Sequence, residues 1–114
     1  MTVKQTRSVD WLGLEKDTGN IILTVVDDLD WVNESEHLLA LQEKLNTYLA
    51  FIESGEVFVR LVDTVGADVV RTTPIKISIL AKYSPTAKAR AFIEYAQKTF
   101  RDAGFQLVHR IVVA

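Results

Sequence analysis

Two stretches of helical periodicity set among β-branched runs constrain this chain more than any other feature. From Asn33 to Ser54, the side chains Leu38, Leu41, Leu45, Tyr48, Leu49 and Ile52 recur at steps of three and four, so they share one face of a helix. From Ser84 to Ala103, the same spacing joins Ala89, Phe92, Ile93, Ala96, Phe100 and Ala103. The first helix is mostly acidic outside its stripe and the second mostly basic. Asn33 with Glu36 forms a capping box in which Asn replaces Ser or Thr, a cap worth about 1 kcal/mol. Glu34 and Glu36 lie where the helix dipole favours negative charge. Gly55 is the expected stop. Ser84 and Pro85 predict an N-cap and first helical residue for the second helix, and Gly104 its end.

The segments between these helices have strand character. Residues 1–7 read as a loose arm. Ser8–Leu14, with Gly13 near a bulge, and Ile21–Val26 form a hairpin across the polar turn Glu15–Asn20. Asp27–Val32 is the link into the first helix. Val57–Val65 and Val69–Tyr83 predict a second hairpin turning at Gly66, and Ile75–Tyr83 alternates cleanly. Phe105–Val113 is the last strand. The expected order is β-β-α-β-β-α-β. Without its first strand this is the ferredoxin-like β-α-β-β-α-β pattern, an α+β two-layer sandwich with both helices on one sheet face. A chain of 114 residues fits a single domain, 1–114, with an adequate core of its own.

Two helices cover one face of such a sheet, yet the strands carry apolar residues at both parities. Ile22 and Val26 oppose Ile21, Leu23 and Val25; Phe58 and Val62 oppose Val57, Val59 and Leu61; Val108 and Val112 oppose Phe105, Leu107 and Ile111. An exposed set of this kind forms a patch that soluble monomers rarely tolerate. The expectation is a homodimer or a protein partner on the second face, against the alternative that the N-terminal arm or residues 63–74 fold over it. The candidate interface comprises Trp11, Trp31, Leu39, Phe51, Phe58, Val62, Leu80, Val108 and Val112. Charge adds to this expectation. Residues 1–57 carry four basic and eleven acidic side chains, residues 58–114 nine and four, so the halves attract one another within the fold or across an interface.

One segment carries a family resemblance. Leu29–Asp30–Trp31, then Glu36, His37, Leu38, Leu41, Gln42, Lys44, Leu45, Asn46 and the run Tyr48–Glu56 (Y-L-A-F-I-E-S-G-E), resemble a small bacterial family of unknown function. The V-D-W-x-G segment at Val9–Gly13 fits its opening. The likeness is close over about residues 8–56 and looser beyond. It implies a bacterial, cytoplasmic protein and carries over no catalytic residue.

The familiar chemical constellations are missing from the sequence. There is no cysteine, hence no disulfide, thiolate zinc site or cysteine nucleophile. No G-x-S-x-G elbow, Walker loop or dinucleotide fingerprint occurs, and the five glycines all have turn, bulge or cap duties. Asp27, Asp28, Asp30, Glu34 and Glu36 are the densest acidic group. They fail the calcium-loop spacing and read as a solvated strand-to-helix loop. His37 and His109 have no metal-ligand spacing; His37 reads as a boundary residue and His109 as a strand-pairing position. No metal or cofactor is expected. The acidic balance and missing RNP-type signature speak against nucleic acid. Met1–Asp10 has no apolar core of a signal peptide, and no apolar run reaches membrane-spanning length, so a cytoplasmic location is expected. The functional expectation is a non-enzymatic interaction module that self-associates. Two alternatives stand: an immunity-type protein neutralising a toxin through its acidic half, and a small-ligand protein or enzyme with a cleft beside the first helix at Glu36, His37 and Tyr48.

Overall fold

The computed structural model describes residues 11–65 and 73–112, with backbone alone at 64 and 65. The elements run β1 (Trp11–Leu14), β2 (Ile21–Asp27), α1 (Glu34–Glu53), α2 (Glu56–Val65), β3 (Ile75–Ala81), α3 (Ala87–Asp102) and β4 (Gln106–Ile111). Among the described residues this is a mixed α+β fold with one four-stranded sheet in the order β1-β2-β3-β4. β1 is antiparallel to β2, while β2, β3 and β4 are parallel. Two helical crossovers join the parallel strands, as parallel neighbours require. The expected β1–β2 hairpin is present, with Leu12 opposite Leu23 and Gly13 opposite Ile22 in an unbroken register, so Gly13 forms no bulge. No described helix is long and apolar enough to cross a membrane.

The ferredoxin-like order gives way to β-β-α-α-β-α-β because residues 56–65 are helical. On β-branching, Val57, Val59, Val62, Thr64 and Val65 favour a strand. In the fold, Val57 and Leu61 stand one helical turn apart and are both fully buried. β-propensity is weak against that burial. Gly55, at φ +79°, turns the chain from α1 directly into α2 instead of into a strand. The proposed partner strand from Val69 falls partly on residues 66–72, outside the described residues. Its described part begins at Ile75, after Pro74, whose missing N–H suits a strand start.

The helix caps agree in part. The Asn33 side chain accepts from the Glu36 N–H at 3.2 Å, while its amide donates to the Glu36 carboxylate at 3.0 Å. The cap of α3 is Thr86, not Ser84: its hydroxyl accepts from the Ala89 N–H at 3.1 Å. Pro85 therefore precedes the cap. At the other end Phe105 N–H donates to the Phe100 carbonyl and Gly104 N–H to Arg101, a Schellman closure with Gly104 at φ +94°.

All three helices pack on one face of the sheet, α2 against β1, α1 over β2 and α3 along β4. The core beneath them joins Ile21, Leu23, Val25, Ile75, Ile77, Ile79 and Leu107 of the sheet to Leu41, Leu45, Tyr48, Ile52, Leu61, Ile93 and Phe100 of the helices. The Tyr48 hydroxyl crosses this layer and donates to the Thr24 carbonyl at 2.6 Å, pinning α1 to the central strand.

Candidate functional site

Two places concentrate the unusual side chains: a buried polar cluster where β2 meets α1, and the sheet face away from the helices.

The cluster follows from strand parity. Ile21, Leu23 and Val25 face the core, and Asp27 is the next residue of that set. His37 lies one turn before Leu41 on the buried stripe of α1. Both are 2% exposed. His37 Nε2 stands 2.7 Å from each Asp27 carboxylate oxygen, and His37 Nδ1 stands 2.8 Å from the Asp30 carbonyl. A carbonyl only accepts, so Nδ1 carries a proton. The contact on the other side then needs one more proton, on Nε2 or on the carboxyl, because a bare nitrogen against a carboxylate would repel. The Trp31 ring stacks on the imidazole at 3.5 Å between centroids and 16° between planes. The Asp27 carboxylate also accepts the Leu29 N–H at 3.3 Å. Burial raises the proton affinity of Asp27, while the hydrogen bond and charge of His37 oppose it. On β4, burial lowers the pKa of His109, against a smaller opposing pull from Asp27.

Asp27 therefore departs from the solvated-loop reading of the acidic group. It is a buried strand residue, whereas Asp28, Asp30 and Glu36 are exposed. No metal-holding cluster of His, Cys, Asp and Glu exists among the described residues. The trio Glu36, His37 and Tyr48 is not brought together. Glu36 faces the Asn33 cap, His37 faces Asp27, and Tyr48 reaches Thr24. The cavity beside His37, about 120 Å³ between Leu29, Asp30, Asn33 and Glu36, is small. Both ring nitrogens of His37 are engaged internally, which leaves neither to take a substrate proton. Lys44, three residues after Leu41 and four before Tyr48, stands at stripe spacing and is fully buried on α1 with its ammonium 5.7 Å from the Tyr48 ring centre; its charge hid it from an apolar-periodicity reading.

The open face is set by cross-strand register. Its rows are Gly13–Ile22–Lys76–Gln106, Trp11–Thr24–Ser78–Val108, and Val26–Leu80–Arg110. Ile22, Val26, Leu80 and Val108 are half-buried, and Trp11 at the edge is 62% exposed. Of the candidate interface residues, Trp11, Leu80 and Val108 share this face. Phe51 lies in the core under the Arg60 guanidinium, 5.0 Å away, and Phe58 packs against that core. Leu39 on α1 and Val62 on α2 are exposed on the helical side, Val112 is exposed just past β4, and Trp31 covers His37.

Residues 1–113 match the model of a family of unknown function (DUF6572), and the chain belongs to that family. Neither the curated proteins nor the solved structures give a match.

Proposed function

We propose that this family member is a non-enzymatic interaction module that self-associates through its open sheet face. The observation that carries this reading is the half-buried apolar group Ile22, Val26, Leu80 and Val108, on which no described helix packs, with Trp11 beside it. Thr24 and Ser78 lie between them, short enough to let a second sheet approach to the ~10 Å of stacked sheets. The face is modest. Four strands at ~4.8 Å and seven residues at ~3.3 Å give roughly 15 × 23 Å in projection. That is below the ~800 Å² per partner of a standard stable interface. The dimer is therefore weak and reversible. The closed hydrogen bonding of His37 favours this class over an enzyme.

Light scattering across ~10 to ~500 µM protein tests it, the range in which an interface of this class populates. The expected mass climbs from 12.8 kDa toward twice that value. Leu80→Glu and Val108→Glu hold it at the lower value with little change in melting temperature. A constant 12.8 kDa throughout would mean that the face serves another purpose.

A further inference from the structure

β4 ends the sheet, and its outer edge is unpaired among the described residues. Val112 N–H donates back to the Ala81 carbonyl on β3. Backbone groups alternate along a strand, so Gln106, Val108 and Arg110 turn toward β3 while Leu107, His109 and Ile111 turn outward. The Gln97 side-chain amide donates to the Leu107 carbonyl at 3.2 Å, occupying that outward group as a neighbouring strand would. Among the described residues the outward groups of His109 and Ile111 have no such substitute, and Ile111 is 46% exposed. Exposed edges of this kind are usually blunted by charge, proline or a covering element.

A groove runs along the same edge beneath α3. One half, about 330 Å³, is lined by Pro85, Arg90, Ile93, His109 and Ile111. The other, about 500 Å³, is lined by Arg101, Phe105, Gln106 and Leu107. Glu94 and Gln97 line both halves. Arg90 and Arg101 thus mark the two ends, ~16 Å apart along the helix at 1.5 Å per residue. Between Thr73 and Val112 the chain carries seven lysines and arginines against Glu94 and Asp102.

We propose that this edge and groove bind an extended acidic peptide segment of a partner protein, added as a fifth strand beside β4. Main-chain bonds to His109 and Ile111 hold the segment, and alternate side chains enter the groove. Residues i and i+4 of a strand lie ~13 Å apart on one face. Acidic side chains at those positions reach Arg90 and Arg101. The residue between them meets Ile93 and Glu94, so it is apolar and uncharged. The recognised pattern is acidic-x-apolar-x-acidic. A second copy of this chain fits less well: β4 against its own copy would bring two basic rims together, and like charges disfavour association. This inference uses the β4 edge and is independent of the open sheet face.

The test is calorimetric titration of the full chain with the capped peptide Thr-Glu-Val-Leu-Val-Glu-Thr, and with the same peptide carrying Lys for both Glu. The acidic peptide binds and the lysine peptide binds at least tenfold more weakly. Arg90→Glu with Arg101→Glu reverses that preference; both side chains are exposed, so the fold is kept. Ile111→Pro removes an outward N–H that β3 does not use, and weakens binding at least tenfold with the melting temperature retained. In amide exchange, His109 and Ile111 slow when the acidic peptide is present. Absence of heat up to ~1 mM peptide, equal binding of both peptides, or full binding to Ile111→Pro overturns the proposal. So does a loss of self-association in Ile111→Pro, because the edge would then belong to a second copy.

Discussion

At the residue scale, His37 and Asp27 form one buried hydrogen-bonded pair, not two independent groups. Removing one partner of a buried pair costs more than the pair itself contributes. His37→Ala strands the Asp27 carboxylate and is expected to lose about 3–5 kcal/mol at pH 7 by urea unfolding. Part of that loss returns on acidification, because a raised carboxyl pKa lets the native state take up a proton before the unfolded chain does. Asp27→Asn keeps a hydrogen bond to a neutral imidazole and costs less. His109 acts with the opposite sign. Its pKa lies below the ordinary 6.5 in the native state, so as pH falls through 6.5 the unfolded chain takes a proton that the native chain refuses. Stability drops over that window, and His109→Gln flattens this part of the profile in urea midpoints measured from pH 7.5 downward. From the sequence Asp27 reads as a solvated loop residue and His37 as a boundary residue; the structure extends β2 to Asp27, two residues after core-facing Val25, and buries His37 one turn before Leu41. Their meeting was hidden because ten residues of chain separate them, and nothing local records how that chain folds back.

At the element scale, propensity misled where packing overruled it. Val57 to Val65 is rich in β-branched residues, yet it forms α2, since Val57 and Leu61 reach the core on one helical face. The α1 stripe and its Asn33 cap were readable because both are set by spacings of three and four. The α3 cap was misplaced by two residues, Ser84 and Thr86 being equally capable chemically. Geometry separates them: Thr86→Ala is expected to cost about 1 kcal/mol and Ser84→Ala only a few tenths, measured by thermal or urea unfolding. Gly55→Ala is expected to cost about 1 kcal/mol or more, because φ +79° crowds a Cβ against the following carbonyl. If α1 and α2 were instead one continuous helix in solution, that substitution would stabilise it.

For the whole molecule, sheet order was the least readable property. The hairpin β1–β2 is local and was anticipated. Pairing of β2 with β3, and of β3 with β4, depends on helices that carry the chain across the sheet. A core deletion measures how far the single layer acts as one unit. Leu41→Ala, beneath α1, is expected to cost about 2–5 kcal/mol and to lower the melting of helix and strand signals together. The central ladder pairs Ile21 with Ile75, and so it has a kinetic consequence during biosynthesis. At about 5–20 residues per second, several seconds pass between emergence of the first strand and of its parallel neighbour from the ribosome. Throughout that interval β2 has one exposed edge and no layer to complete it. Nascent fragments ending before Ile75 should consequently be sticky, protease-sensitive chains, and the sheet should close only after β3 and β4 have emerged.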